Sequence, residues 1–204
     1  MTEIRHIVFD IGNVILMWDP EVPYRRLIPD EAERRRFLEE VCTHAWNAEQ
    51  DRGRTWREAE DLLVAEHPDL EPLIRAYFIH HSEMLSGPIT GTAAIIEALA
   101  ARGFDITALT NYSAETFPHA RATYDILGRF RGITVSGEAR VMKPDRAIYD
   151  LHAETFGLDP SATLFFDDNA ANIEGARAAG WNAERFTSPE QMRADLARYG
   201  IALT

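Results

Sequence analysis

Short apolar runs alternate along this chain with longer stretches in which apolar residues recur every three or four positions. The first kind reads as buried strands and the second as amphipathic helices. Residues 4–9 (Ile-Arg-His-Ile-Val-Phe) predict a first strand that ends at Asp10, and further strands are expected over 104–109, 132–135, 162–166 and 182–186. Helices are expected over 91–102, 114–127, 144–156, 170–179 and 189–199. Strands alternating with helices in this way predict an α/β fold, a Rossmann-like parallel sheet with helices on both faces.

From about 20 to 86 the texture changes. Charged helical segments, including 30–40 and 55–66, take over, with Pro23, Pro29, Pro68 and Pro72 as breaks and no β-rich stretch. Gly87-Pro88 punctuates the end of this block. The expected organisation is a core built from residues 1–18 and 88–204, with a small all-α domain at 19–87 inserted after the first strand as a natural lid. A chain of 204 residues is long enough for one core plus such an accessory domain.

Ligands of open parallel sheets bind at the carboxyl ends of the strands, and four polar clusters stand at those ends. Asp10, in Phe9-Asp10-Ile11-Gly12-Asn13, either caps a turn or serves as a nucleophile on a rigid strand end with little bulk beside it, Gly12 permitting a tight backbone turn. Thr110-Asn111 follows the run Ile106 to Leu109; a helix N-cap there is one reading, and a hydroxyl, amide and backbone N–H set for phosphate oxygens is the other. Lys143 precedes Pro144, a residue common at a first helical position, and can point towards the sheet end. Asp167-Asp168 closes the run Leu164-Phe165-Phe166. Two like charges roughly 4 Å apart repel by about 4 kcal/mol at an effective dielectric of 20. A bound cation relieves that repulsion, and oxygen donors favour Mg²⁺; a helix N-cap is the plainer alternative. Asn172, one helical turn after Asp168, shares its face and can orient a carboxylate or a ligand water. Together these clusters supply most of a phosphoryl-transfer site.

Charge and composition narrow the partners. Lys and Arg number 21 against 33 Asp and Glu, a formal balance of −12, which argues against nucleic acid and anionic membranes and makes any cation in the site matter more. The single Cys42 excludes an intramolecular disulfide and reads as a half-buried bystander thiol within a helical stretch. No charged-then-apolar leader precedes Ile4 and no apolar run approaches the ~20 residues of a membrane span, so a cytoplasmic protein is expected. His44, His80 and His81 lie in the helical block without a matching acidic or Cys set and are expected in packing or surface roles. Trp18, Trp46, Trp56 and Tyr77 are expected as core aromatics of that block, with one or two facing a substrate.

Read jointly and in order, Asp10 to Val14, Thr110-Asn111, Lys143 and Phe166 to Asn169 resemble the four motifs of the haloacid dehalogenase superfamily, over residues 4–18 and 88–187. The helical insertion resembles a C1-type cap. The first and last motifs resemble the branch reading Asp-x-Gly-Asn-Val and Phe-Asp-Asp-Asn, which includes a sugar-phosphate phosphatase. The resemblance implies Asp10 as a nucleophile that forms an aspartyl-phosphate, Thr110 and Asn111 as ligands of phosphoryl oxygens, and Lys143 as the cation that neutralises them and holds Asp10. It implies Mg²⁺ bound by Asp10, the Gly12 carbonyl and Asp168, with Asp167 and Asn172 in support. The implied substrate is a small phosphate ester, such as a sugar phosphate.

One departure matters. Most phosphatases of this superfamily carry a second Asp two residues after the nucleophile as general acid and base, and here that position is Gly12. Loss of a positioned acid typically costs about 10²–10⁴-fold; Asp19 is the nearest acidic substitute in the sequence. Hydrolytic 2-haloacid dehalogenation, which uses the same Asp without metal or acid, is the alternative. Those enzymes usually have Ser-Ser-Asn where this chain has Asp167-Asp168-Asn169, and an aromatic residue where it has Gly12. A non-catalytic phosphate-responsive module ranks below both, because receiver domains carry their acidic pair after the first strand and lack the insertion.

Overall fold

A computed structural model describes residues 3–203 of the chain. It opens with β1 (His6–Phe9) and β2 (Leu16–Trp18), followed by five helices: α1 (Glu21–Leu27), α2 (Glu31–Glu40), α3 (His44–Asp51), α4 (Trp56–Glu66) and α5 (Glu71–Ile79). The chain returns through β3 (Leu85–Pro88) and α6 (Thr90–Ala101) to β4 (Asp105–Thr110), then α7 (Phe117–Thr123), β5 (Ile133–Val135) and the single turn α8 (Ser136–Ala139). It finishes with α9 (Arg146–Phe156), β6 (Thr163–Asp167), α10 (Ala170–Ala178), β7 (Asn182–Arg185) and α11 (Pro189–Arg198).

Five strands form one parallel sheet in the order β5-β4-β1-β6-β7. The period-two alternation of each strand decides its two faces. Ile7 and Phe9, Ile106 and Ala108, and Leu164 and Phe166 turn to one face and pack with Ile95 and Leu99 of α6, Phe117 of α7 and Leu196 of α11. Val8, Leu109 and Phe165 turn to the other and meet Ile148 and Tyr149 of α9 and Ile173 and Ala176 of α10. From β1 the chain moves outward to β4 and β5, then crosses back to β6 and β7, so the direction of winding reverses between β1 and β6. A crevice opens at such a switch point, beyond the carboxyl ends of the strands.

Helices α1 to α5 gather a separate apolar cluster around Tyr24, Phe37, Trp56, Leu63, Ile74 and Tyr77. Their starts follow side-chain chemistry: Asp30, Thr43 and Thr55 each accept a backbone N–H of the helix they precede. Trp46 and Tyr77 pack against Trp56 at centroid distances of 5.6 Å each, the core role expected for these three aromatics.

Several boundaries depart from the sequence reading. The helical block is joined to the sheet by a two-stranded antiparallel ribbon, Leu16 opposite Pro88 and Trp18 opposite Leu85. Gly87-Pro88 is therefore part of a strand and not a break; three residues of β2 are too few to show a period. The expected helix over 114–127 is divided into α7 and a 3₁₀ turn at Asp125–Arg129, and the one expected from 144 begins at Arg146, because Asp145 N–H closes a turn on the Met142 carbonyl (2.9 Å). Cys42 lies in the turn between α2 and α3, fully buried, and burial pushes its thiol well above the usual range, so it is inert. Among the described residues no helix is long and apolar enough to cross a membrane.

One polar link runs through the second face. His152 of α9 bonds Thr107 Oγ1 of β4 through Nε2 (2.9 Å) and Thr134 Oγ1 of β5 through Nδ1 (2.8 Å). Burial, with the fields of Arg131 and Lys143, lowers its pKa to about 3, so the ring is neutral in the folded chain at all ordinary pH. The unfolded state takes up a proton near pH 6.5 that the folded state refuses until about 3; stability therefore falls as pH drops through that window. Each pH unit costs about 1.4 kcal/mol for this one group. Between pH 6.5 and 5 the loss in a urea titration should be about 2 kcal/mol smaller for His152→Asn than for the unmodified chain.

Candidate active site

The site is assembled where β1, β4 and β6 end. Asp10 follows β1, its N–H bonded to the Phe166 carbonyl of β6 (2.9 Å). The loop after it turns through Asn13, whose φ of 54° is the left-handed conformation that Asn tolerates. Asn13, and not Gly12, supplies the special backbone angle of this turn. Asn13 Oδ1 also accepts the Trp18 N–H at 3.0 Å, which fixes the path into β2.

Lys143 is the centre of the arrangement. Its side chain is 0% exposed, and its ammonium meets Asp10 Oδ1 at 2.8 Å, Asp167 Oδ2 at 2.7 Å and the Leu109 carbonyl at 2.9 Å. Three donors meet three acceptors. Burial disfavours the ammonium, but Asp10 and Asp167 more than reverse this, and its pKa is raised on balance. Asp167, also 0% exposed, is held further by Asn172 Nδ2 (3.1 and 3.0 Å) and by the Asn169 N–H (2.8 Å). Asn111 clamps the lysine from its backbone: Nδ2 donates to the Lys143 carbonyl at 3.0 Å and Oδ1 accepts the Lys143 N–H at 2.9 Å.

In front of this buried layer lies a cavity of about 260 Å³. Its sheet-end wall is made by Asp10, Gly12, Asn13, Asp168 and Asn169, and its helical wall by Trp18, His44, Asn47, Asp51 and His81. Asp10 Oδ1 is committed to the Ile11 N–H (2.7 Å) and Lys143, while no described protein donor bonds Oδ2. One carboxylate oxygen each of Asp10, Asp167 and Asp168 lie within 4.8 Å of one another. Burial raises the pKa of Asp10, against the pull of Lys143, and burial with the like charge of Asp167 raises that of Asp168. A divalent cation would reverse both shifts. The donor set fits one: Asp10 and Asp168 face the cavity, with the Gly12 backbone beside them.

A family model for haloacid dehalogenase-like hydrolases matches residues 4–180 of the chain. The chain belongs to this family. Among curated relatives, haloacetate dehalogenase H-2 of Moraxella sp. (strain B) is 30% identical over 94 residues, 46% of this chain and 42% of its own length. A phosphatase of Mycobacterium tuberculosis is 33% identical over 107 residues, 50% of this chain and 48% of its own. The chain thus spans less than half the length of either relative. Among solved structures, a family enzyme of Bacteroides thetaiotaomicron in its magnesium complex superposes with a TM-score of 0.72 at 18% identity, covering 92% of this chain and 95% of its own. The L-2-haloacid dehalogenase of Xanthobacter autotrophicus gives 0.68 at 21% identity, covering 98% and 85%. At these identities the likeness is one of fold.

The geometry redistributes several roles expected of this haloacid dehalogenase-like hydrolase. Thr110 is 1% exposed and does not line the cavity. Asn111 lines it; its amide brackets the Lys143 backbone from both ends, and the second Nδ2 proton is left over for a ligand. Lys143 has no proton to spare for a ligand and acts from behind Asp10. Asp167 has its oxygens engaged by Lys143, Asn169 and Asn172, which makes it a brace, and one of them also stands in the three-carboxylate group with Asp10 and Asp168; Asn172 orients Asp167 and not Asp168. The helix N-cap that was weighed for the acidic pair is Asn169, which accepts the Ala171 N–H. Asp19 is 40% exposed at its side chain, bonds the Glu21 N–H and Arg25, and does not line the cavity.

His44 and His81 line the cavity, a placement not expected of them, although His81 also fills a packing role against Trp56 and Tyr112 at 5.5 and 5.7 Å; His80 pairs with Glu83 at 2.7 Å. Of Trp18, Trp46, Trp56 and Tyr77, Trp18 lines the cavity, and Tyr112 lines it as well. Asn47 and Asp51 are missed altogether by sequence reasoning. Their only signal is the spacing 44, 47, 48, 51, which puts one face of α3 against the site.

Removing Lys143 leaves Asp10 and Asp167 buried without a counter-ion, a change that typically costs about 3–5 kcal/mol. Lys143→Met should lower unfolding free energy in urea by that amount, and adding Asp167→Asn should recover part of the loss.

Proposed function

We propose that this chain is a Mg²⁺-dependent phosphatase that acts on a small phosphorylated metabolite through an aspartyl-phosphate at Asp10. One observation carries the reading: among the described residues, the cavity wall holds three aspartates, Asp10, Asp51 and Asp168, and no Lys or Arg. An anionic substrate gains nothing from such a wall unless a divalent cation sits among the carboxylates. Asp10 and Asp168 with the Gly12 carbonyl would hold Mg²⁺, which when bound offsets the charge of the phosphate and of the attacking carboxylate. Two solved structures of the same Bacteroides thetaiotaomicron enzyme contain magnesium and inorganic phosphate, and curated relatives include an N-acetylmuramic acid 6-phosphate phosphatase of Pseudomonas aeruginosa, 26% identical over 121 residues.

The chain's own residues then divide the work. Lys143 and the Ile11 N–H fix Asp10 Oδ1 and leave Oδ2 aimed at the cavity as nucleophile. Asp167, Asn111 and Asn172 hold that lysine in register. The helical wall, read as a C1-type cap, encloses the rest of the substrate; a volume of about 260 Å³ suits a phosphate with a small organic group, such as a sugar, better than a nucleotide or peptide.

Dehalogenation of a 2-haloacid is the second reading, favoured by the dehalogenases among the relatives and neighbours. It requires a carboxylate substrate to enter the same acidic cavity without a cation. Phosphate release from a panel of esters in Mg²⁺, abolished by EDTA and by Asp10→Asn, supports the phosphatase; EDTA-insensitive chloride release from 2-chloroacids replaces it with the second reading. Mg²⁺ at about 100 times its Kd should also stabilise the fold by about 2.7 kcal/mol, seen as a raised Tm, and Asp168→Asn should remove that gain.

A further inference from the structure

We infer that the Asp51 carboxyl is the general acid and base of this site, in place of a carboxyl at Gly12, and that the leaving group it serves is an alcohol. The inference rests on the phosphatase reading above. Phosphoryl transfer runs in line, so a leaving oxygen departs on the side of phosphorus away from Asp10. That direction leads from the sheet end to the helical wall, where α3 presents His44, Asn47 and Asp51 on one face.

Asp51 is the last residue of α3 and is fixed from several directions. Asn47 Nδ2 reaches Oδ2 at 3.3 Å, and the Ser113 backbone N–H lies close enough to pull the pKa of the carboxyl down. The Ser136 hydroxyl donates to the Asp51 carbonyl, and the neighbouring Arg52 pairs with Asp145 at 2.8 Å. The carboxyl is thus set against the core in the cavity that Asp10 also lines, yet it is not a member of the Asp10, Asp167 and Asp168 group. Around it stand Lys143 from the loop before α9, Tyr112 from the end of β4, and Tyr77 from α5. Burial pushes Asp51 up to about 7, against the Ser113 N–H and the field of Lys143. A group with that value is shared between its acid and base forms at neutral pH. Burial raises both tyrosines far above that, and lowers His81 to about 4, so none of the three exchanges a proton there.

The proton balance is simple. Asp10 Oδ2 forms a bond to phosphorus as the P–OR bond breaks, and the departing oxygen takes the Asp51 proton. A water entering the vacated place then gives a proton to Asp51 as its oxygen attacks phosphorus and the bond to Asp10 breaks. The products are the alcohol and inorganic phosphate, and Asp51 ends protonated as it began. Gly12 is replaceable by construction: a Cβ placed there meets no atom within 4 Å.

The test compares p-nitrophenyl phosphate, whose leaving group needs no proton, with benzyl phosphate, an ester of similar size whose leaving group does. For Asp51→Asn, turnover of benzyl phosphate should fall by about 10²–10⁴-fold. The first-turnover burst of p-nitrophenol should fall far less, and the aspartyl-phosphate should accumulate. Gly12→Asp added to Asp51→Asn should restore the benzyl ester. In the unmodified chain, benzyl phosphate cleavage should decline as pH rises through about 7, a limb absent from the nitrophenol burst. Equal losses on both esters, no loss on the benzyl ester, or the same selectivity appearing in His44→Asn each overturn the inference. Should Asp51→Asn fail to fold, a series of leaving groups on the unmodified chain decides: a shallow dependence of the first step supports an acid in place, a steep one overturns it. Halide release without Mg²⁺-dependent cleavage of either ester overturns the underlying phosphatase reading, and is told apart by its product.

Discussion

A fully buried lysine ammonium is the constraint on which this molecule depends. Lys143 survives in the interior because each of its three protons finds an oxygen, two of them from carboxylates. Those oxygens come from three separate strands: Asp10 after β1, Leu109 in β4 and Asp167 in β6. The parallel order of the sheet brings these strands side by side, so the fold and the ammonium require one another. Asn111 and Asn172 complete the set by holding the lysine backbone and the second aspartate.

The same layer explains the character of the cavity in front of it. One positive charge is hidden behind Asp10 and shared with Asp167, and what the cavity presents is acidic. The chain-wide excess of acidic residues, −12 in formal charge, repeats this on a larger scale. On the proposed reading, an anionic ligand would depend on a cation taken up from solution. The polypeptide would then contribute the geometry, and the ion the attraction.

The sheet was legible because strand identity rests on short-range patterning: runs such as Leu164-Phe165-Phe166 are apolar on both faces, as a strand between two layers of helices must be. The sheet-end wall of the cavity was legible for a related reason, since each strand marks its own terminus with a polar residue. What could not be read is the difference between a residue that touches a ligand and one that holds such a residue. Asn111, Asp167 and Lys143 have the right chemistry and stand at the right place, but their partners are one another, and only the three-dimensional arrangement shows it. The helical wall was hidden more deeply. Asp51 and His81 are brought to the site by the way α3, α4 and the turn after α5 pack on the core, through Ser136 Oγ to the Asp51 carbonyl, Trp56 Nε1 to Ser113 Oγ at 3.0 Å and His81 edge-on to Tyr112 at 5.7 Å. No local spacing encodes such long-range contacts.

The ribbon of β2 and β3 has an architectural effect of its own. The polypeptide leaves the sheet domain and comes back through two strands that pair with each other, Trp18 beside Leu85. Everything between them hangs from one doorway. Helices there can be lengthened, shortened or traded without altering the order of the five parallel strands, so one wall of the cavity can change while the strand ends that make the other stay as they are.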